Sequence, residues 1–246
     1  MRRSCTRPRH FFPELSPSLV RASPIPILYS ASPDSTVPTL RRTPDSNPKL
    51  HSSRDTAAPR PHQPLHDTLS DFATTAFGTG PDALFTYRRD PDGALLGLFP
   101  LYIASGTFGP ELLALFTKLA QLPGLSAEAR EAAILAVGAV FQSPWELYAH
   151  GEIAVKATAL TEQQVHLLAQ GRKPDGLGAD AEAAFEIATH LARKPGALPQ
   201  SLWDQGVKAL GKDGMIALLH YVGFYAHTCI VLNAMSVKVD GEQGTE

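Results

Sequence analysis

Residues 130–150, REAAILAVGAVFQSPWELYAH, bring together the groups an acid–base catalyst needs: Glu131, Ser143, Glu146 and His150, in the pattern E-x11-S-x2-E-x3-H. Glu146 and His150 are four apart, so on a helix they share a face. A carboxylate beside an imidazole selects its tautomer and raises its basicity, which suits proton transfer near neutral pH. Glu131 borders an apolar run, where burial would hold a proton on a carboxyl to higher pH. A structural reading competes with the chemical one. Ser143-Pro-Trp-Glu146 has the form of a capping box: the hydroxyl bonds the backbone N–H three residues on, and the carboxylate reaches back to the serine N–H. Pro144 at the first helical position fits that reading. Glu131 would then be an early-turn acid facing the helix dipole, and His150 a hydrogen-bonded interior histidine.

The elements that would position these groups are helical. From about residue 80, Ala and Leu dominate the periodic segments, and no strand alternation is evident. Residues 110–121 open with Pro110 and carry leucines and Phe116 at helical spacing. Ser126 is placed to cap the next helix. Its run AAILAVGAVF is apolar on every side, which predicts a central buried helix. A second helix starts at Ser143 and runs to about Thr158. Thr161 caps a third, which ends at Gly171. After a loop at 171–180, DAEAAFEIATHLAR reads as an amphipathic helix stopped by Pro195 and Gly196. PQSLWDQGVKALG forms another, ended by Gly211, and the last helix runs from about Asp213 to Met235.

That last helix holds His220, Tyr221, Tyr225 and His227. His220 and His227 are seven apart and share a face. With Glu146 and His150 they would make a formal metal-ligand set, but no HxH, HxxxH or cysteine cluster supports one, and no metal is expected. Arg130 and Lys156 flank the motif and are expected to face outward. His166 and His190 read as ordinary surface or helix-end residues.

The overall charge of −2 conceals a split. Up to His66 the chain carries ten Lys and Arg against four Asp and Glu, so the rest is net acidic by eight. Twelve of the 21 prolines also fall before residue 67. Such a stretch buries too little apolar surface to offset its ordering entropy, so residues 1–75 are expected to be a disordered Pro/Ser/Arg-rich extension. Residues 80–246 are expected to form one helical domain. The Arg-rich, acid-poor start has some features of a transit peptide, which would direct the chain to mitochondria; otherwise a cytoplasmic location is expected. Its scattered basic residues lack the motif context of a nucleic-acid arm. The longest apolar run, at 215–235, is interrupted by His220, His227 and Asn233, so no membrane span is expected. Cys5 and Cys229 form no CxxC pair and no disulfide framework.

Across roughly 95–237 the chain resembles the carboxymuconolactone decarboxylase and alkylhydroperoxidase D superfamily. The motif at 130–150 carries the likeness, with LLALFTKLAQLPGLSAEARE before it, GEIAVKATALTEQQV after it, and the final HYVGFYAHTCIVLNAM helix. The resemblance implies an all-α bundle containing a helical hairpin, with subunits assembling as trimers or hexamers. In the peroxidase branch the motif reads E-x11-C-x2-C-x3-H. Here Ser143 and Glu146 occupy the cysteine positions, and neither can attack a peroxide as a thiolate or resolve the product. Thiol peroxidase activity is therefore not expected. The decarboxylase branch carries a pattern like E-L-x-x-H, which Glu146-Leu147-Tyr148-Ala149-His150 matches. The resemblance implies a cofactor-independent enzyme acting on a small carboxylated or lactone-type metabolite. His150 would move the proton, Glu146 would be its partner and Glu131 a secondary acid. Ser143, His220, Tyr221, Tyr225 and His227 would contact substrate. Isomerisation, elimination and lactone hydrolysis stay open, because a fold does not fix a reaction. The rival expectation is a non-catalytic oligomeric scaffold or ligand-binding protein.

Overall fold

The structure, a computed structural model, describes residues 63–89 and 92–239. The expectation of a disordered extension falls outside the described residues as far as residue 62. From residue 63 its boundary is corrected. Helix α1 (Gln63–Phe77) occupies the last part of the expected extension, and its Leu69 and Ala73 are fully buried. Leu65, Leu69, Phe72 and Ala73 recur at helical spacing, a stripe obscured in sequence by the proline-rich stretch just before it.

The remaining helices are α2 (Leu98–Ala104), α3 (Gly109–Ala120), α4 (Ala127–Phe141), α5 (Pro144–Ala157), α6 (Glu162–Ala169), α7 (Ala179–Arg193) and α8 (Gln200–Ala234). A short antiparallel pair, β1 (Arg88–Arg89) and β2 (Ala94–Leu95), departs from the helical expectation. The Asp92-Gly93 turn leads into the second strand, with Gly93 at φ +68°.

Helix α4 is the axis of the bundle. The Ser126 hydroxyl accepts the Ala129 N–H at 3.0 Å and caps it. Seven residues between Ala129 and Val137 form the centre of the core, packed by α5, α6, α7 and α8. At its end Gln142 adopts φ +50°, and the Ser143 N–H bonds the Gly138 carbonyl at 3.1 Å. This left-handed step ends α4 and turns the chain so that α5 packs back on it. Thr161 and Gln164 form the capping box that starts α6. The expected stop at Gly211 is present as a break inside α8, where φ is +71° and ψ 177°.

A second apolar cluster lies over the start of α5. It is built from α1, residues 83–87, Leu95 and α2, and includes Phe85, Tyr87, Phe99, Tyr102 and Trp145. Gly97 permits the contact. Its φ is +67°, and a Cβ there would lie 2.0 Å from Trp145 Cε2.

By length and composition alone α8 is apolar enough to cross a bilayer. In this fold 56% of its most apolar stretch is buried inside the protein, as suits a core helix.

Candidate active site

The crossing of α4 and α5 places Glu131 against His150. Oε2 of Glu131 lies 2.7 Å from Nδ1 of the imidazole. On the other side of the ring, Nε2 lies 3.5 Å from Glu146 Oε2. Both carboxylates are buried, and the His150 side chain is 13% exposed. Arg130 Nε approaches Glu131 Oε1 at 3.5 Å, so Arg130 belongs to the edge of this cluster and does not simply face outward. From α8, Tyr225 packs edge-on to His150 with ring centroids 5.0 Å apart, and Tyr221 stacks on Tyr225.

The electrostatics follow from this packing. Burial opposes a charge on His150, but the Glu131 carboxylate, through charge and hydrogen bond, and Glu146 more than offset it. The imidazole therefore holds its proton above the usual histidine range. Burial pushes the Glu146 carboxyl upward; the imidazole opposes that shift and Glu131 adds to it. Burial, then Glu146 and Glu131, raise the Tyr225 phenol well above its ordinary value. The cluster is thus a proton-holding site: an imidazole clamped by one hydrogen-bonded carboxylate, next to a second carboxyl that burial pushes upward.

The capping-box reading of Ser143 and Glu146 is not what forms. Ser143 stands at the N-cap of α5, but its side chain makes no capping bond. Ser143 Oγ and Glu146 Oε2 are both buried with no hydrogen-bond partner among the described residues. Glu146 turns toward His150, and with it lines a cavity of about 30 Å³ walled by Phe85, Phe99, Trp145 and Tyr225. That volume accommodates about one water molecule. Glu131 lies beyond the first helical turn, and it pairs with His150.

The last helix divides its four candidates. Tyr221 and Tyr225 are buried toward His150. His220 and His227 lie on another side of α8, lining an apolar groove with Leu115 and Leu219 from α3 and α8. Within one chain these two histidines, expected to contact substrate, do not line the His150 cavity: α8 is apolar nearly all round, so its sequence could not choose the inward face. Among the described residues no group of three His, Cys, Asp or Glu is arranged to hold a metal ion.

The structure adds Tyr102, which the sequence did not single out, and places the lone Cys229. The Tyr102 hydroxyl of α2 is buried without a partner among the described residues, and the charge of Glu146 contributes to raising its pKa, behind burial. Cys229 is buried on α8; burial first, then Glu146, pushes its thiol up to about 12, with the nearby Ser143 hydroxyl opposing the shift. Such a thiol carries almost no thiolate at neutral pH. Neither residue carries a sequence signal, since both sit in plain apolar helices.

No family model matches the chain, and no characterised protein matches it in sequence. Solved structures do match. One is the crystal structure of the debrominase Bmp8 without ligand, with a TM-score of 0.57 at 12% identity, covering 75% of this chain and 90% of that one. Another is a cysteine-to-alanine variant of Bmp8 in complex with 2,3,4-tribromopyrrole, with a TM-score of 0.54 at the same identity and coverage. At this identity the likeness defines the fold: an all-α architecture resembling the alkylhydroperoxidase D-like fold.

Proposed function

We propose that this protein is a cofactor-independent acid–base enzyme acting on a small carboxylated or lactone-type metabolite, with His150 as the group that moves the proton. The observation that carries the reading is the clamp on His150, with Glu131 at 2.7 Å from one ring nitrogen and Glu146 at 3.5 Å from the other. The Glu131 bond fixes the tautomer and stabilises the imidazolium, a positioning role. Nε2 is then the nitrogen that faces Glu146 and the cavity. In a decarboxylation, the bond to the carboxyl carbon breaks, its electron pair enters a dienolate, and the imidazolium delivers a proton to carbon. The Glu146 carboxyl, whose pKa burial raises, lines the same cavity beside Nε2. Lyase, isomerase and lactone-hydrolase chemistry all use this proton. The matched structures are those of an enzyme whose bound ligand is a small halogenated pyrrole, which agrees with a small-molecule site in this fold. Assembly into a homo-oligomer belongs to the same proposal, and the exposed apolar residues of α8, Ile216, Leu219 and Ile230, are in keeping with it.

A second reading, a non-catalytic scaffold or ligand-binding protein, draws on the size of the cavity, about 30 Å³. For catalysis the aromatic wall formed by Phe85 and Phe99 must move aside. Incubating the full chain with a panel of carboxylated lactones and enoates, read by NMR and by CO2 release, separates the two. The enzyme reading expects turnover of at least one compound that His150→Gln abolishes. A folded protein inert toward every compound favours the scaffold, whereas turnover that survives in His150→Gln overturns the role given to His150.

A further inference from the structure

Among the described residues, Arg88 is a cation without a counter-charge. Its partly buried guanidinium donates through Nη2 to the neutral hydroxyls of Ser70, at 2.6 Å, and Thr74, at 3.5 Å. Its Nε is buried with no hydrogen-bond partner among those residues, and its Cζ lies 5.7 Å from the centre of the Tyr87 ring. Other arginines are differently placed. Arg89 pairs with Asp92, and Arg130 with Glu131. A guanidinium cannot shed its proton, so partial burial without an anion leaves desolvation uncompensated. With Nη2 engaged and Nε buried, Nη1 is the nitrogen that these contacts leave for a carboxylate.

Arg88 lines a groove of about 630 Å³, together with Phe85, Thr86, Tyr148, Glu152 and Lys156. That is an ordinary size for a small-molecule site. Lys156 is already committed, donating to the Ala83 and Leu84 carbonyls at 3.2 and 3.0 Å and pairing with Glu152 at 3.0 Å. The same contacts neutralise Glu152, the carboxylate on the groove wall. Of the two cations lining the groove, Arg88 is the one left to a ligand. The Tyr148 hydroxyl accepts the Thr86 N–H at 3.0 Å and keeps its own proton to donate. Phe85 supplies a flat apolar wall, and it also lines the His150–Glu146 cavity.

We propose that this groove binds the carboxylate of a planar or aromatic small molecule, with Arg88 as its anchor and Phe85 as the partition between it and the His150 cavity. Arg88 would supply a substrate-binding cation that the four positions of the E-x11-S-x2-E-x3-H motif lack. Binding in the groove stands independently of the acid–base reading of His150; only the reaction of the bound molecule rests on it.

Calorimetric titration of the full chain with benzoate, and with benzamide as the uncharged analogue, tests the groove. Saturable benzoate binding is expected, with benzamide at least tenfold weaker. Arg88→Gln is expected to weaken benzoate at least tenfold and leave benzamide within twofold. Arg88→Lys, which keeps the charge but loses the guanidinium, should fall between. Thermal melts establish that each variant is folded, and Arg88→Lys carries the test if Arg88→Gln is not. His150→Gln should leave benzoate affinity within twofold. Benzamide binding as tightly as benzoate, no saturation, or Arg88 variants unchanged would overturn the proposal. Loss of benzoate in His150→Gln with Arg88 variants unaffected would place the anion at His150, overturning the groove while leaving the acid–base reading intact.

Discussion

Nδ1 of His150 and Oε2 of Glu131 lie 2.7 Å apart, joining residues nineteen positions apart across the α4–α5 crossing. The contact sits in a buried setting, so each partner depends on the other. His150→Ala would leave Glu131 facing only Arg130 at 3.5 Å. Its expected cost is about 3–5 kcal/mol, the usual penalty for orphaning a buried charge. His150→Gln keeps a donor near Glu131 and should lose far less. Chemical denaturation of the two variants checks the difference. Activity should be compared in the glutamine variant, where loss of turnover is not loss of fold.

The pH dependence of stability follows from the same cluster. His150 holds its proton more tightly folded than unfolded. Between the ordinary value of 6.5 and its raised folded value, the native state therefore binds more protons, and stability falls as pH rises. The raised Glu146 acts in the same direction from 4.5 upward. Unfolding free energies from urea melts between pH 5 and 9 should decline, by at most about 1.4 kcal/mol per pH unit for each proton involved. His150→Gln should flatten the part of the decline above pH 6.5. An unfolding free energy that rises through this window would contradict the shifts.

Ser143 offers a sharp contrast between sequence and structure. A serine that caps a helix costs about 0.5–2 kcal/mol to replace with alanine. Here its hydroxyl makes no capping bond, and Pro144 occupies the first helical position. Ser143→Ala is therefore expected to change stability by less than about 0.5 kcal/mol, since it removes a buried hydroxyl that has no partner among the described residues. A loss above about 1 kcal/mol in a denaturation curve would restore the capping box.

Phe85 packs edge-on to Trp145, with centroids 6.3 Å apart, and closes the small cavity. Phe85→Ala should open a path from the groove to the buried indole. In a Trp203→Phe background, which leaves Trp145 as the sole indole, acrylamide quenching should rise several-fold. Unchanged quenching in a folded variant would show that Phe85 is no partition. The substitution should also cost about 3–5 kcal/mol of stability, the usual range for phenylalanine in a core.

What the sequence made legible was local. Ser126 and Thr161 announce their helices because a cap and its helix are contiguous. The apolar run 132–141 could only be a buried axis. Glu131, Glu146 and His150 were recognisable as a set by spacing. Their pairing was not, because Glu146 could close a capping box or face His150, and only the angle between α4 and α5 decides. The orientation of α8 was hidden for a related reason: with apolar residues on nearly every side, its sequence favours no face, and Tyr221 and Tyr225 turned inward while His220 and His227 did not. Arg88 carried no signal, since its meaning lies in which groups surround it, and that is a property of the folded surface. Helix α1 was obscured by the prolines just before it.

The most direct test of the His150 cluster is an NMR titration of the imidazole, followed through its ring nitrogens in the wild type and in Glu131→Gln. The wild-type ring should be protonated at pH 6.5 and titrate above it, with Nδ1 hydrogen-bonded throughout. In Glu131→Gln the titration should move to lower pH, because the charge that holds the proton is gone. A His150 that is neutral at pH 6.5, or whose titration is the same in both proteins, would contradict the acid–base site.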